Sequence, residues 1–196
     1  MHRDEVHELH YIAPIDNVPS IMQLGILSHV QAARLLHTSV AMQVIQDRRS
    51  DVTVPGGRKL HEYANLYICA RNPMLYKRLH LRDQICVLSI SPDVLDLDDV
   101  VVCSANASSK YVRFSMAHGG LKIVDKDKVF AKYWTDDDPI ENFRKRAAKC
   151  AEVLVPDRVD ASFIRLAYVA NQVAKDRIEA LKTGLPVTLN AHMLFV

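Results

Sequence analysis

The sequence lacks the segments that carry a protein into or across a membrane. Residues 1–5 are charged and lead into no apolar core, so they are not typical of a signal peptide. No uninterrupted apolar run approaches the ~20 residues that cross a bilayer. The net charge of +2 permits a nucleic-acid partner but does not demand one. We therefore expect a cytoplasmic protein with no membrane partner.

The sequence also lacks metal-binding motifs. Its four cysteines lie apart in separate apolar segments, without the paired spacing of zinc sites, and we expect them to be reduced core residues. They are Cys69, Cys86, Cys103 and Cys150. Residues 7–10, His-Glu-Leu-His, are one residue too short for the HExxH spacing, in which both histidines share one helical face. We therefore expect no metal ion.

Three enzyme motifs are missing as well. There is no GxGxxG fingerprint, no P-loop and no GxSxG elbow. Residues 55–59, Pro-Gly-Gly-Arg-Lys, have neither the glycine spacing nor the Ser or Thr of a P-loop. The sequence therefore argues against a Rossmann dinucleotide site, a P-loop nucleotide site and a serine hydrolase.

What the chain does contain is a series of strand-like and helix-like segments. Its 196 residues, 49% hydrophobic and 24% charged, fit one globular domain over residues 1–196. Compact apolar runs between turn residues predict buried strands, and apolar residues at helical spacing predict amphipathic helices. The predicted strands cover residues 9–12, 66–70, 85–90, 100–103, 151–155, 164–168 and 187–196. The predicted helices cover residues 18–24, 41–49 (with Val40, Val44 and Ile45 facing inward), 74–76, 139–148 and 170–182. The fold class is therefore α+β.

One carboxylate stands in an unusual position. Glu152 begins a run, residues 151–155, that is otherwise apolar, and an ionised carboxylate in a buried strand is costly unless it is paired or faces a cleft. Alone, this feature also fits a strand-end glutamate whose carboxylate reaches water. Arg48 and Arg49, on the predicted second helix, are by default a solvated face.

Taken in order, several segments resemble the DarT-type ADP-ribosyltransferases, toxins that modify single-stranded DNA and are held in check by an antitoxin. Residues 66–76 (LYICARNPMLY) and 151–155 (AEVLV) carry the most specific likeness. Weaker likenesses follow the family's order along nearly the whole chain: residues 9–18 (LHYIAPIDNV), 46–49 (QDRR), 55–63 (PGGRKLHEY) and 103–115. The resemblance implies an ADP-ribosyltransferase-like α+β fold, in which central β-sheets with flanking helices form an NAD-binding cleft.

The resemblance also implies a reaction and its catalytic residues, Glu152 and Arg49. ADP-ribose would move from NAD⁺, a substrate, to a base of single-stranded DNA, thymine in the leading interpretation, with release of nicotinamide. The bond to nicotinamide breaks through an oxocarbenium-like centre, as in glycoside hydrolysis. A carboxylate fixed against the ribose can stabilise that charge, and a guanidinium can hold the pyrophosphate or favour loss of the base proton.

Further contacts follow from the same resemblance. The predicted NAD⁺ contacts are His10, Tyr11, Asn17, Tyr67 and Tyr76, although Tyr76 fits a core position as well. The predicted nucleic-acid contacts are His61, Asn106, Lys110 and Arg113, and the basic run over residues 144–146 either meets phosphates or is simply solvated. A cognate antitoxin is the expected protein partner, and defence against phage the expected setting.

Departures from the family pattern fall mainly in the segments expected to recognise the nucleic-acid base that accepts ADP-ribose. Residues 103–106, Cys-Ser-Ala-Asn, replace the family's T-D-G-N/H segment, and in the first strand His10 lies one place early with Ala13 in place of threonine. Two alternatives therefore stay open. One is the same chemistry on RNA or on another base, and the other is a non-catalytic member that binds a nucleotide or a partner protein.

Overall fold

The structure, a computed structural model, describes residues 1–35 and 43–196. Its ten strands are β1 (Leu9–Pro14), β2 (Ile26–Leu27), β3 (Tyr63–Tyr67), β4 (Ile85–Ile90), β5 (Val101–Cys103), β6 (Phe114–Met116), β7 (Glu152–Pro156), β8 (Arg158–Val159), β9 (Ile164–Val169) and β10 (Val187–Leu189). Eight of them form one sheet in the order β10-β9-β4-β1-β3-β7-β5-β6, and β2 pairs with β8. Only the β9–β10 pair is parallel within this sheet.

Eight α-helices in the described residues connect these strands. They are α1 (Val18–Leu24), α2 (His29–Ala32), α3 (Gln43–Ser50), α4 (Pro73–Tyr76), α5 (Ala117–Gly120), α6 (Lys126–Phe130), α7 (Pro139–Lys149) and α8 (Gln172–Ala180). None of the helices in residues 1–35 and 43–196 combines the length and hydrophobicity of a membrane span.

The starts and ends of several helices follow directly from their sequence. Asp138 caps α7 by accepting a hydrogen bond from the backbone N of Ile140 at 2.7 Å, and Pro139 occupies the first turn. Gly25 ends α1 at φ +84, where an added Cβ would lie 2.3 Å from the carbonyl oxygen of Val159. Both the left-handed backbone and the close approach of the chain therefore require glycine at this position.

The main sheet is buried on both faces. All six residues of β4 are buried, so this strand is a continuous apolar run apart from one serine. The larger core cluster contains Val153 and Val155 of β7, and a smaller one on the other face contains Ile12, Tyr67 and Val87. Because β7 lies between β3 and β5, its first residue is enclosed by two neighbouring strands.

Most predicted elements match the structure, but two strands differ. The prediction over residues 85–90 is confirmed by β4, and that over residues 151–155 by β7 to within one residue. The strand predicted over residues 66–70 starts earlier and ends sooner, because β3 (Tyr63–Tyr67) pairs with β7 from Pro156 back to Glu152. Of the predicted helix over residues 41–49, α3 covers Gln43–Ser50; Val40 and Ala41 lie outside the described residues, as do the side chains of Val44 and Ile45.

The predicted final strand over residues 187–196 is wrong beyond its third residue. β10 pairs with β9 only over Val187–Leu189. The chain then turns, with the backbone N of Leu194 bonded to the carbonyl of Asn190 at 3.3 Å and that of Val196 to Ala191 at 2.9 Å. This turn places Leu194 in the smaller core cluster with no exposed surface.

Candidate active site

The register of the central strands places Glu152 in the interior. Glu152 is aligned with Tyr67 of β3 on one side and with Cys103 of β5 on the other. Its side chain has no exposed surface. Burial raises the pKa of Tyr67 well above its ordinary value, and the charge of Glu152 adds to that shift. The alternative of a strand-end glutamate that reaches water is therefore excluded.

Arg49 supplies the opposite charge that a buried carboxylate needs. Its Nη1 donates to Oε2 of Glu152 at 2.9 Å, although the two residues are 103 positions apart in sequence. Arg49 itself is only 5% exposed. Burial alone would lower the pKa of Arg49, but the charge and hydrogen bond of Glu152 outweigh it and raise the pKa above its usual value. The guanidinium therefore stays charged inside the protein.

The second oxygen of the carboxylate is held by an amide. Nδ2 of Asn106 donates to Oε1 of Glu152 at 2.7 Å. The other end of the same amide, Oδ1, accepts from the backbone N of Ser108 at 3.1 Å and from its hydroxyl at 2.7 Å. Both oxygens of Glu152 thus have a partner, one charged and one neutral.

A cavity of about 500 Å³ opens beside this arrangement. Its walls come from β1, β3, the helices α3, α4 and α7, and residues 106–109. Arg49 and Asn106 line it, whereas Glu152 lies behind them. A volume of this size is typical of sites for small organic ligands. The cavity can therefore hold a nucleotide with its reacting end next to the two residues that contact Glu152.

The predicted NAD⁺ contacts divide into two groups. Tyr11, Asn17 and Tyr67 line the cavity, as their positions on β1, before α1 and on β3 allow. His10 and Tyr76 do not line it, so the structure does not bring these two predicted contacts to the site.

Their contacts with other side chains explain where these two residues lie. His10 alternates away from Tyr11 along β1 and its Nε2 lies 3.2 Å from Oε1 of Glu8. Tyr76 is 55% exposed and packs edge-on against Trp134 and Phe195, with ring centroids 5.8 and 5.3 Å away. Tyr76 is therefore neither a cavity residue nor the core residue that its apolar context also allowed.

The predicted nucleic-acid contacts also divide. His61 and Asn106 line the cavity, and His61 stacks on His29 with ring centroids 4.2 Å apart. Lys110 and Arg113 lie outside the cavity wall. Lys110 is exposed, and Arg113 donates from Nη2 to the carbonyl of Ile123 at 2.8 Å. Burial lowers the pKa of His61, and the charges of His29 and Arg49 lower it further, so this ring favours its neutral form.

An exposed aromatic pair at the cavity rim was missed by the sequence analysis. Tyr111, on the loop between β5 and β6, meets Phe143 of α7 edge-on at a centroid distance of 6.2 Å. Tyr111 is 75% and Phe143 50% exposed, and Phe143 also lines the cavity. The available signal was Phe143 among polar neighbours of α7, and sequence alone does not distinguish such a phenylalanine from a buried residue.

No group of His, Cys, Asp and Glu side chains in residues 1–35 and 43–196 is arranged to hold a metal ion. The groups that meet beside the cavity are the carboxylate of Glu152, the guanidinium of Arg49 and the amide of Asn106.

Comparison with known proteins identifies the family. The profile described as "ssDNA thymidine ADP-ribosyltransferase, DarT" matches residues 10–195. The chain belongs to the DarT family. A "DNA ADP-ribosyl transferase-DNA ADP-ribosyl glycohydrolase fusion protein" of Thermosipho africanus is 32% identical over an alignment of 203 positions, which covers 96% of this chain and 50% of that protein. This DarT-family chain thus spans half the length of that relative.

Solved DarT structures share the fold. Thermus sp. 2.9 DarT in complex with ADP-ribosylated ssDNA aligns with a TM-score of 0.82 at 25% identity, over 96% of each chain. The same Thermus protein in complex with NAD⁺ aligns with a TM-score of 0.78 at 24% identity, over 96% of this chain and 98% of that one. The predicted family and the predicted ADP-ribosyltransferase-like α+β fold are confirmed. The expected reaction class, ADP-ribosylation of single-stranded DNA, agrees with the description of the family.

Proposed function

We propose that this chain transfers ADP-ribose from NAD⁺ to thymine in single-stranded DNA, with Glu152 and Arg49 as its catalytic pair. The observation that carries the proposal is their buried contact of 2.9 Å beside a cavity of about 500 Å³. A buried ion pair next to a ligand-sized cavity is a costly arrangement that a purely structural role does not require.

The chemistry balances with these groups. The bond between C1′ of the ribose and the nicotinamide nitrogen breaks, and its electron pair leaves with nicotinamide. The developing positive charge on the ribose is stabilised by the carboxylate of Glu152, an interaction that a site shielded from water makes stronger. A ring nitrogen of the base then forms the new bond to C1′ and gives its proton to the carboxylate. Arg49 favours that step because its charge stabilises the base as the proton leaves.

NAD⁺, the donor of ADP-ribose, would lie along β1 and β3. Tyr11 and Tyr67 offer aromatic surface, and Asn17 offers an amide at the start of α1. Arg48, Lys77 and Arg146 also line the cavity and supply positive charge for the pyrophosphate or the acceptor phosphates. His10 and Tyr76 are left out of this proposed contact set because they lie away from the cavity wall.

The acceptor would approach over the rim formed by Tyr111 and Phe143. Exposed aromatic rings next to basic groups are the usual platform for the unpaired bases of a single strand. Lys110 precedes Tyr111, and Arg144 and Arg146 follow Phe143 on α7. His61, neutral and on the cavity wall, is placed to contact the target base rather than a phosphate.

A second part of the proposal concerns regulation. The Thermosipho relative joins a DNA ADP-ribosyl transferase to a DNA ADP-ribosyl glycohydrolase in one chain, two activities of opposite direction. We propose that this transferase, treated as one domain over residues 1–196, is a toxin whose antitoxin is a glycohydrolase that removes the modification. NAD⁺ and single-stranded DNA occur together in the cytoplasm, so that compartment is the proposed place of action.

The test is incubation with labelled NAD⁺ and matched DNA and RNA oligonucleotides, followed by mass spectrometry of the products. We expect a mass increase of one ADP-ribose on thymine of the DNA oligonucleotide, and none with Glu152→Gln. Modification of RNA alone, or of another base, would replace the proposed acceptor while keeping the enzyme. No modification of any oligonucleotide, with protein that binds NAD⁺, would reject the proposed transfer.

A further inference from the structure

Asn106 links the buried carboxylate to the loop that faces the acceptor. Its Nδ2 contacts Oε1 of Glu152 at 2.7 Å, while its backbone N donates to the carbonyl of Ala147 at 3.0 Å. Asn106 is partly exposed and lines the cavity, whereas Glu152 is completely covered. The amide therefore stands between the carboxylate and the space where substrate would bind.

Asn106 lies in a loop, residues 104–113, whose two ends are hydrogen-bonded to each other and whose far end carries exposed groups. At its base, the backbone N of Ser104 donates to the carbonyl of Arg113 at 3.0 Å, and the backbone N of Arg113 donates to Oγ of Ser104 at 3.0 Å. Lys110 and Tyr111 lie exposed at the far end. Ser108 holds Oδ1 of Asn106 through two hydrogen bonds. One loop therefore carries both the amide that contacts Glu152 and the exposed groups that a ligand can reach.

We infer that Asn106 is a positioning residue that caps Glu152 until an acceptor engages the loop. The inference rests on the proposed function. In the capped state the amide of Asn106 holds Oε1 and lies between it and the cavity, so water or a base in the cavity cannot reach Oε1 to give up a proton. When nucleic acid binds Tyr111 and Lys110, the loop shifts, Nδ2 leaves Oε1, and the freed oxygen accepts the proton of the base.

The cap would suppress a wasteful side reaction. Without an acceptor, water can attack C1′ of NAD⁺, so that the bond to nicotinamide breaks, free ADP-ribose forms and the proton of water passes to the carboxylate. An occupied Oε1 slows this hydrolysis because its acceptor for the proton is blocked. Thermodynamic coupling between two sites of one protein is typically worth on the order of tenfold. We expect an effect of that size.

The first experiment compares two rates in wild type and Asn106→Ala: hydrolysis of NAD⁺ without oligonucleotide, and transfer to a thymine-containing DNA oligonucleotide. Asn106→Ala is expected to raise the ratio of hydrolysis to transfer about tenfold. The matched control is Asn171→Ala, because Asn171 does not line the cavity and its Oδ1 accepts from the backbone N of Ala174 at 3.0 Å. An unchanged ratio in Asn106→Ala, including a parallel fall of both rates, would overturn the inference.

The second experiment uses the unaltered protein and does not depend on a variant folding. An oligonucleotide in which thymine carries a methyl group on N3 can engage the loop but has no ring proton to give up. We expect this oligonucleotide to raise the rate of NAD⁺ hydrolysis by wild type and to leave the rate of hydrolysis by Asn106→Ala unchanged. Absence of stimulation in wild type, with binding of the oligonucleotide verified, would contradict the cap. If wild type modifies no oligonucleotide at all, the proposed transfer fails on its own, and the hydrolysis rates of the two proteins still decide whether Asn106 caps Glu152.

Discussion

Nη1 of Arg49 and Oε2 of Glu152 lie 2.9 Å apart with side-chain exposures of 6% and 0%. The contact joins α3 to the first residue of β7, elements from different parts of the chain. Two charges removed from water are stable only because they meet each other, so the loss of either leaves the other uncompensated. Folding and chemistry therefore depend on the same pair, and experiments have to separate the two.

Glu152→Gln and Arg49→Lys are expected to reduce kcat for transfer by on the order of 10²-fold or more, since both groups act in the transition state. The two changes combined should reduce kcat by much less than the product of the single effects, because the residues act as a unit. Steady-state kinetics with NAD⁺ and DNA gives kcat for the single and double variants, and the binding affinity for NAD⁺ is measured alongside.

An exposed ion pair provides the control for those variants. Arg58 and Asp157 are 2.7 Å apart, with side-chain exposures of 42% and 52%. Arg58→Gln is expected to leave kcat within about twofold, because surface pairs contribute little. If Glu152→Gln stays folded and keeps wild-type kcat, Glu152 is not a catalytic residue.

The aromatic pair at the cavity rim predicts an effect on acceptor binding. Phe143→Ala and Tyr111→Ala should each raise KM for the oligonucleotide about 5–100-fold, because stacking of a base on an aromatic ring contributes roughly 1–3 kcal/mol. KM for NAD⁺ should change little. Tyr133→Ala is the matched control, since Tyr133 is 69% exposed but does not line the cavity. Equal effects of Tyr133→Ala and Tyr111→Ala would refute a specific platform.

The hydrogen bonds of Glu8 predict how the free energy of unfolding depends on pH. Burial raises the pKa of Glu8, but hydrogen bonds from His10, Ser89 and Tyr168 outweigh it and lower the pKa from 4.5 to about 2. A carboxyl group with a lowered pKa in the folded state stabilises the fold fully above the unfolded value. Its contribution is therefore complete above pH 4.5 and is lost as the pH falls towards 2.

The measurement is the free energy of unfolding in urea for wild type and Glu8→Gln as a function of pH. Near neutral pH, Glu8→Gln should be less stable by about 1–2 kcal/mol, and this difference should shrink below pH 4.5. Glu179→Gln removes a carboxylate from an exposed pair with Lys175 at 3.8 Å and should differ from wild type by less than about 0.5 kcal/mol. A difference for Glu8→Gln that is constant with pH would contradict the assigned role of its charge.

The sequence was most informative where local pattern and environment agree. β4 is buried throughout and reads as one apolar run, and Asp138 with Pro139 marks the start of α7. Glu152 could be singled out because a carboxylate in an apolar strand conflicts with its neighbours. Family resemblance then supplied Arg49, whose contact with Glu152 spans 103 positions and has no local signature.

Features that depend on distant partners could not be predicted in this way. The predicted nucleic-acid contact Asn106 lines the cavity and also contacts Glu152, 46 positions away, because β5 is the neighbour of β7; this second contact has no local signature. Tyr76 packs against Trp134 and Phe195, which are far from it in sequence. In both cases the local sequence permits several environments, and contacts between distant parts of the chain select one.

The carboxyl-terminal turn supports the cavity wall from behind. Leu194 has no exposed surface and belongs to the same core cluster as Ile12 and Tyr67, two residues that line the cavity. Leu194→Ala should lower the free energy of unfolding by about 2–4 kcal/mol, because it leaves a void in a packed site. KM for NAD⁺ should rise as well, since the void lets Ile12 and Tyr67 shift.

The control is Val196→Ala, which changes a residue that is 58% exposed and should affect stability by less than about 0.5 kcal/mol. If Leu194→Ala and Val196→Ala have the same free energy of unfolding, residues 190–196 do not pack as a buried turn, and the strand predicted there would have to be reconsidered.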